Sequence, residues 1–192
     1  MSPGGHLVTT ALTCGALHAA TGSAALTAGV AAGGFLVDLD HVLDYMAFEG
    51  RRDLRPAAFL KYYTEQRSQR LVLLLHSYEL LGLLVGLAWI TNWQWLWGYV
   101  LGMALHLPLD IVFNGKVLSR NLVPFYSLAY RWRAGFLAEP LLGVTAPRPA
   151  CGGFWRSFFA ELFPKPDRPA TTARGTRRPA RHGGERAASR ER

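Results

Sequence analysis

The stretch HLVTTALTCGALHAATGSAALTAGVAAGGFLVDLDH, residues 6–41, decides the fold. It is an almost uncharged apolar run with a histidine at one end and Asp38, Asp40 and His41 at the other. Two conformations compete for it. As one long helix, it would hold His6 about a membrane thickness away from Asp38. As a hairpin with arms over residues 6–20 and 23–37, it would return His6 to Asp38. Thr21, Gly22 and Ser23 between the arms are turn formers and favour the hairpin. Each arm then has about fifteen residues, roughly 22 Å at 1.5 Å per residue, which is short for a full bilayer crossing.

Outward from this stretch, the remaining apolar residues are also gathered into blocks. Half of the 192 residues are hydrophobic and six are Trp. Residues 71–90 hold only His76 and Glu79 as ionisable groups, a length close to that of a membrane crossing. Trp93, Trp95, Trp97 and Tyr99 follow as an aromatic cluster of the interfacial kind. Residues 95–113 form the last long apolar block. The expected fold is therefore all-α, a membrane helix bundle of about four embedded helices with short interfacial helices. Asn114 and Gly115 are expected to turn the chain. Residues 122–130 and 154–163 are expected to form interfacial pieces, the second with Trp155, Phe158, Phe159 and Leu162 on one side.

Charge orients the bundle. Arg51, Arg52, Arg55, Lys61, Arg67 and Arg70 fill one inter-helix segment, and Lys116, Arg120, Arg131 and Arg133 fill another. The short turns at 21–23 and 91–93 carry no charge. With the basic segments inside, both termini are expected to be cytoplasmic. Residues 164–192 hold nine Lys/Arg and three Asp/Glu, and no large apolar side chain. This tail cannot bury a core and is expected to be disordered. It has no aromatic residues to stack bases, so anionic lipid rather than nucleic acid is its expected partner. The chain then divides into an embedded domain (1–140), a linker with a short amphipathic helix (141–163) and the basic tail. Cys14 and Cys151 are too few and too distant for a disulfide framework.

The hairpin brings the ionisable groups of the apolar blocks to one end of the bundle. His6 begins the first helix, Asp38, Asp40 and His41 end the second, His76 starts the third, and His106 and Asp110 lie toward the end of the fourth. His106 and Asp110 are four residues apart and share a helical face. Imidazoles and carboxylates are the donors of divalent metal sites, and ionisable groups in membrane segments usually carry function. The candidate metal ligands are His6, Asp38, Asp40, His41, His76, His106 and Asp110. Each alone has a plainer explanation: a buried His–Asp bond, a solvated acidic helix end, or a structural histidine. Their convergence on one end argues for a metal. His18 falls at the opposite end and is assigned to structure.

Gly5-His6-Leu7, Asp38-Leu39-Asp40-His41, His76-Ser77 and His106-Leu107-Pro108-Leu109-Asp110 together resemble the YdjM-like family of inner-membrane metal-dependent hydrolases. Pro124-Phe125 and Tyr130-Arg131 fit its downstream segment, so the resemblance spans residues 5–136. That family is distantly similar to zinc-dependent phospholipase C and P1 nuclease, which implies an all-helical fold, zinc, and phosphoester hydrolysis. Val37 stands where the family has Pro, and the Gly/Thr turn that usually precedes His-Ser is absent.

The expected activity is hydrolysis of a phosphoester or other ester of a lipid-like substrate at the cytoplasmic membrane face. A divalent metal, zinc by donor type, would activate the water. Asp40 or Glu79 would serve as base, with Arg67, Arg70 and Arg131 as phosphate partners. The alternative is a non-catalytic membrane adaptor whose His/Asp cluster locks the bundle and whose basic tail binds lipid or a partner.

Overall fold

A computed structural model describes residues 1–118, 120–143 and 153–160, and among them the chain is all-helical. The first stretch folds as the hairpin. Helix α1 (Pro3–Thr21) begins with Ser2 as its cap, the hydroxyl accepting from the Gly5 amide at 3.3 Å, and with Pro3 in its first turn. It ends at Gly22, whose φ of 64° is the left-handed turn that a side chain would resist. Ser23 then caps α2 (Ala24–Phe35), accepting from the Leu26 amide at 3.2 Å. A 3-10 turn over Leu36–Asp38 redirects the chain into α3 (Leu39–Ala47). The Asp-rich segment is thus an elbow between two helices.

After α4 (Pro56–Thr64), residues 71–77 are a loop with a turn closed from the His76 amide to the Leu73 carbonyl at 3.1 Å, and α5 (Tyr78–Thr91) starts only at the Ser77 cap. The apolar block 71–90 is therefore part loop and part helix. The loop's amides bond to Asp40 and Asp44 instead of to a preceding helical turn, so non-helical backbone is stable there. Asn92, at φ 48°, turns the chain into α6 (Gln94–Leu118). Asn114 and Gly115 do not turn the chain but continue α6. The Asn114 amide donates to Asp110 Oδ1, one helical turn back, at 3.1 Å, which holds it in register. A 3-10 turn at Pro124–Tyr126, α7 (Leu128–Arg133), α8 (Ala138–Leu142) and α9 (Phe154–Phe158) complete the described residues. Leu162, Cys151 and the basic tail lie outside them.

Glycines set the closest contact of the fold. A Cβ on Gly29 would stand 2.1 Å from the Trp95 carbonyl oxygen, and one on Gly33 would stand 2.0 Å from that of Tyr99. Cβ atoms on Gly98 and Gly102 would stand 2.1 and 2.5 Å from the carbonyl oxygens of Leu26 and Val30. Two Gly-x3-Gly pairs thus let α2 and α6 meet backbone to backbone, as small residues do between membrane helices. The main core lies beside this contact, around Val37, Met103, Leu107, Leu122, Phe125 and Tyr126.

Two segments are long and apolar enough to cross a membrane, Ala24–Ala47 and Gln94–Leu118. Helix α5, with 14 residues, is shorter but equally apolar, and buries only Ala88 among its side chains. Leu12, Leu83, Trp89, Ile90 and Trp93 are exposed. The Ser23 hydroxyl donates to Gln94 Oε1 at 3.0 Å, so the two uncharged turns share one end of the bundle.

Candidate metal centre

Helix α1, the elbow after α2, the loop before α5 and helix α6 carry ionisable groups to a common depth. Counting from the shared turn end, His6, Asp38 and His76 lie fourteen or fifteen residues away, roughly 21–22 Å at 1.5 Å per residue. On α6, His106 and Asp110 bracket that depth at about 18 and 24 Å. The glycine contact between α2 and α6 then brings Asp38 and His106 together across the bundle.

His76 Nε2 and His106 Nε2 are 3.0 Å apart. Asp38 Oδ1 lies 3.4 Å from His76 Nε2 and 3.5 Å from His106 Nε2. Asp110 Oδ2 lies 3.5 and 3.4 Å from the same two nitrogens. These five separations form two triangles of donors that share the His76–His106 edge, one closed by Asp38 and the other by Asp110. A tetrahedral ion with bonds of about 2.0–2.1 Å requires edges of about 3.3–3.4 Å. His76, His106 and Asp110 are buried and Asp38 is partly exposed, so the cage opens on the Asp38 side.

The other faces of the two rings are fixed. His106 Nδ1 donates to the Gly34 carbonyl at 2.9 Å, and a carbonyl can only accept. His76 Nδ1 donates to the Asp40 carboxylate at 2.9 Å. Both neutral rings therefore turn Nε2 lone pairs toward each other, which is repulsive unless a cation or a proton lies between them. Such outer partners fix the tautomer of histidines that bind metal. Burial disfavours a charged His76, but Asp110, Asp38 and Asp40 outweigh it and hold its pKa well above the ordinary imidazole value.

His6 completes one side of the cage. Its Nε2 lies 2.9 Å from Asp110 Oδ1 and its ring stacks on His106 at 3.8 Å. The Met1 amino group also contacts Asp110 Oδ1 and is 2.7 Å from Asn114 Oδ1. Asp110 thus has one oxygen on His6 and the other on the histidine pair. Three overlapping sets could hold an ion: His6, His106 and Asp110; Asp38, His76 and His106; and Asp40, His41 and His76.

The loop that presents His76 is clamped by two carboxylates one turn apart on α3. Asp44 Oδ2 accepts from the amides of Val72 and Leu73 at 2.7 and 3.1 Å. Asp40 Oδ2 accepts from those of Leu75 and His76 at 2.9 and 3.2 Å. Outside α3, Arg131 Nη2 donates to the Leu73 carbonyl at 2.9 Å.

All seven sequence-named ligands gather here. Asp40 faces His76 Nδ1 and the loop amides. His41 sits at the edge, its Nε2 3.9 Å from Asp38 Oδ1, its ring 5.0 Å from that of His76 and its buried Nδ1 without a partner. Glu79 is turned elsewhere: it accepts from the Ser127 hydroxyl and the amides of Leu128 and Ala129 at 2.7–3.1 Å, capping α7. Arg67 pairs with Glu65 at 2.5 Å, and Arg70 bridges to Leu137. Arg131 is fully buried, with Nε and Nη1 unpartnered, and burial lowers its pKa. His18 stands at the turn end beside Thr27. Sequence reasoning gave no role to Asp44, the Gly34 carbonyl or the glycine pairs. The Gly-x3-Gly spacings at 29–33 and 98–102 were the available signal.

Comparison of the chain with protein-family models, with curated proteins and with solved structures found no match.

Proposed function

We propose that this chain is an integral membrane metal-dependent hydrolase acting on a phosphoester or other ester of a lipid-like substrate. The observation that carries the reading is the facing His76 and His106 pair with Asp38 and Asp110 within 3.5 Å of both Nε2 atoms, and both imidazole Nδ1 atoms committed to acceptors. That donor set fits a divalent ion, and zinc best by its preference for imidazole and carboxylate. When bound, such an ion supplies Lewis acidity and lowers the pKa of a water toward neutrality. The protein's own groups do the remaining work. Asp40 and the Gly34 carbonyl aim the two imidazoles. Asp44 and Arg131 hold the loop that carries His76. His41, at the open edge with a free Nδ1, is placed to move a proton. Resemblance to the YdjM-like motifs supports the same chemistry.

In this reading α1, the α2–α3 segment, α5 and α6 are embedded in the membrane. The bond between Ser23 and Gln94 supports placing both uncharged turns on one side. The basic segments, the metal centre and both termini then face the cytoplasm, in a bacterial-type inner membrane, with the tail on anionic lipid.

The test is the metal content of the detergent-purified full chain beside a His106→Ala/Asp110→Ala variant. Stoichiometric zinc or another divalent ion, lost in the variant, supports the reading, as does hydrolysis of phosphodiesters by the loaded protein. A folded wild type that takes up no ion after reconstitution overturns it.

A further inference from the structure

A cavity of about 340 Å³ opens beside the metal centre and is lined by His6, His106, Thr10, Thr13, Val30 and Leu105 among others. Its origin is in the packing: α1 and α6 both lie against α2, and beyond the contacts of His6 with His106 and Asp110 their backbones stay apart. Gly34 forms part of its wall, and a Cβ there would stand 2.6 Å from the Thr10 hydroxyl oxygen. Two of the three threonines that line it keep their hydroxyls on their own helix. Thr9 and Thr13 turn their hydroxyls back onto carbonyls of their own helix, at 3.0 and 2.9 Å, which takes up their donors. Leu12 and Leu105 at the rim are exposed, so the opening lies on an apolar outer face.

The direction of the cavity identifies its occupant. One end reaches His6 and His106 at the cluster. The other reaches Thr13, seven residues along α1 toward the turn end, roughly 10 Å away. With the centre near one membrane surface, the cavity runs from that surface toward the hydrocarbon. Its size falls at the small end of ligand sites, about 300–1,000 Å³.

We infer that the cleft between α1 and α6 is a lateral channel for the hydrocarbon tail of a lipid phosphate whose head reaches the His/Asp centre. This rests on the metal-centre reading of the same site. The lipid enters sideways from the leaflet on the centre's side, with its head at the interface and its tail along Thr9, Thr10 and Thr13. A water-soluble phosphate can reach the centre without using the cleft.

The experiment uses the zinc-loaded full chain in nanodiscs, with ethyl phosphonate and dodecyl phosphonate as non-hydrolysable probes in binding titrations. The wild type should bind the dodecyl probe at least tenfold more tightly than the ethyl probe. Thr13→Trp, which fills the inner end, should abolish that gain and leave ethyl phosphonate affinity and zinc content unchanged. Leu105→Trp, from the facing helix, should do the same and covers the case in which the first variant fails to fold. A chain-length gain that is absent in the wild type, or that survives both substitutions, overturns the channel. Failure of the wild type to hold zinc or to bind ethyl phosphonate instead overturns the metal centre, and the channel with it.

Discussion

His76 and His106 meet nitrogen to nitrogen, their Nε2 atoms 3.0 Å apart, while each ring spends its only N–H on an acceptor behind it. Two lone pairs at that distance need a positive charge between them. Without metal, a proton on His76 serves, drawn by the surrounding carboxylates. A metal ion held by the same two nitrogens would take the place of that proton. Several consequences can be measured.

Metal uptake should release a proton and strengthen with rising pH. His76 has a raised folded-state pKa, so its protonation stabilises the metal-free fold. That stabilisation is fully present below the unfolded imidazole pKa of about 6.5 and is lost as pH rises through the raised folded value. A divalent ion competes with the same proton and therefore binds more weakly in acid. Calorimetric titration in buffers of different ionisation enthalpy should show net proton release. Affinity that is flat from pH 6 to 8 would contradict the exchange.

Asp40→Asn should leave the bundle folded but weaken metal binding by about 10–100-fold, the usual cost of losing the carboxylate behind a ligating histidine. The amide can still accept from the loop, yet no longer favours the Nδ1–H tautomer as a carboxylate does. Competition with a chromophoric chelator would measure this. An unchanged affinity would make Asp40 a clamp for the loop alone.

Gly33→Leu should disrupt the fold, whereas Gly82→Leu should be tolerated. At Gly33 a side chain would drive into the Tyr99 carbonyl, while at Gly82 nothing lies within 4 Å. Forcing α2 and α6 apart should cost about 3 kcal/mol or more, and would also separate Asp38 from His106. Thermal denaturation of both variants in one detergent would compare them. Equal stability would remove the backbone contact as the organiser of the site.

The site was legible in the sequence because its residues interrupt apolar blocks, where ionisable groups stand out. The hairpin was legible in Thr21-Gly22-Ser23. The α5 boundary was not, since 71–75 reads as helix until Asp40 and Asp44 take up the loop's amides from thirty residues away. Asn114-Gly115 misled for the complementary reason: a contact with Asp110 keeps Asn114 helical. Long-range partners, which local composition does not encode, decided both cases.

Glu79 gives the sharpest contrast between spacing and structure. Three residues from His76 in sequence, it reads as a candidate base, yet both of its oxygens are bonded at the start of α7. Because α5 starts only at Tyr78, His76 and Glu79 share no helical face, and Glu79 is bonded to Ser127, Leu128 and Ala129 instead. Glu79→Gln should therefore keep full metal content and kcat, and lower stability by about 1 kcal/mol through the weakened cap. Metal analysis, turnover and a melting curve on the same preparation would check it. A loss of kcat with metal and fold intact would return Glu79 to the reaction, and would require the start of α7 to move toward the centre when substrate binds.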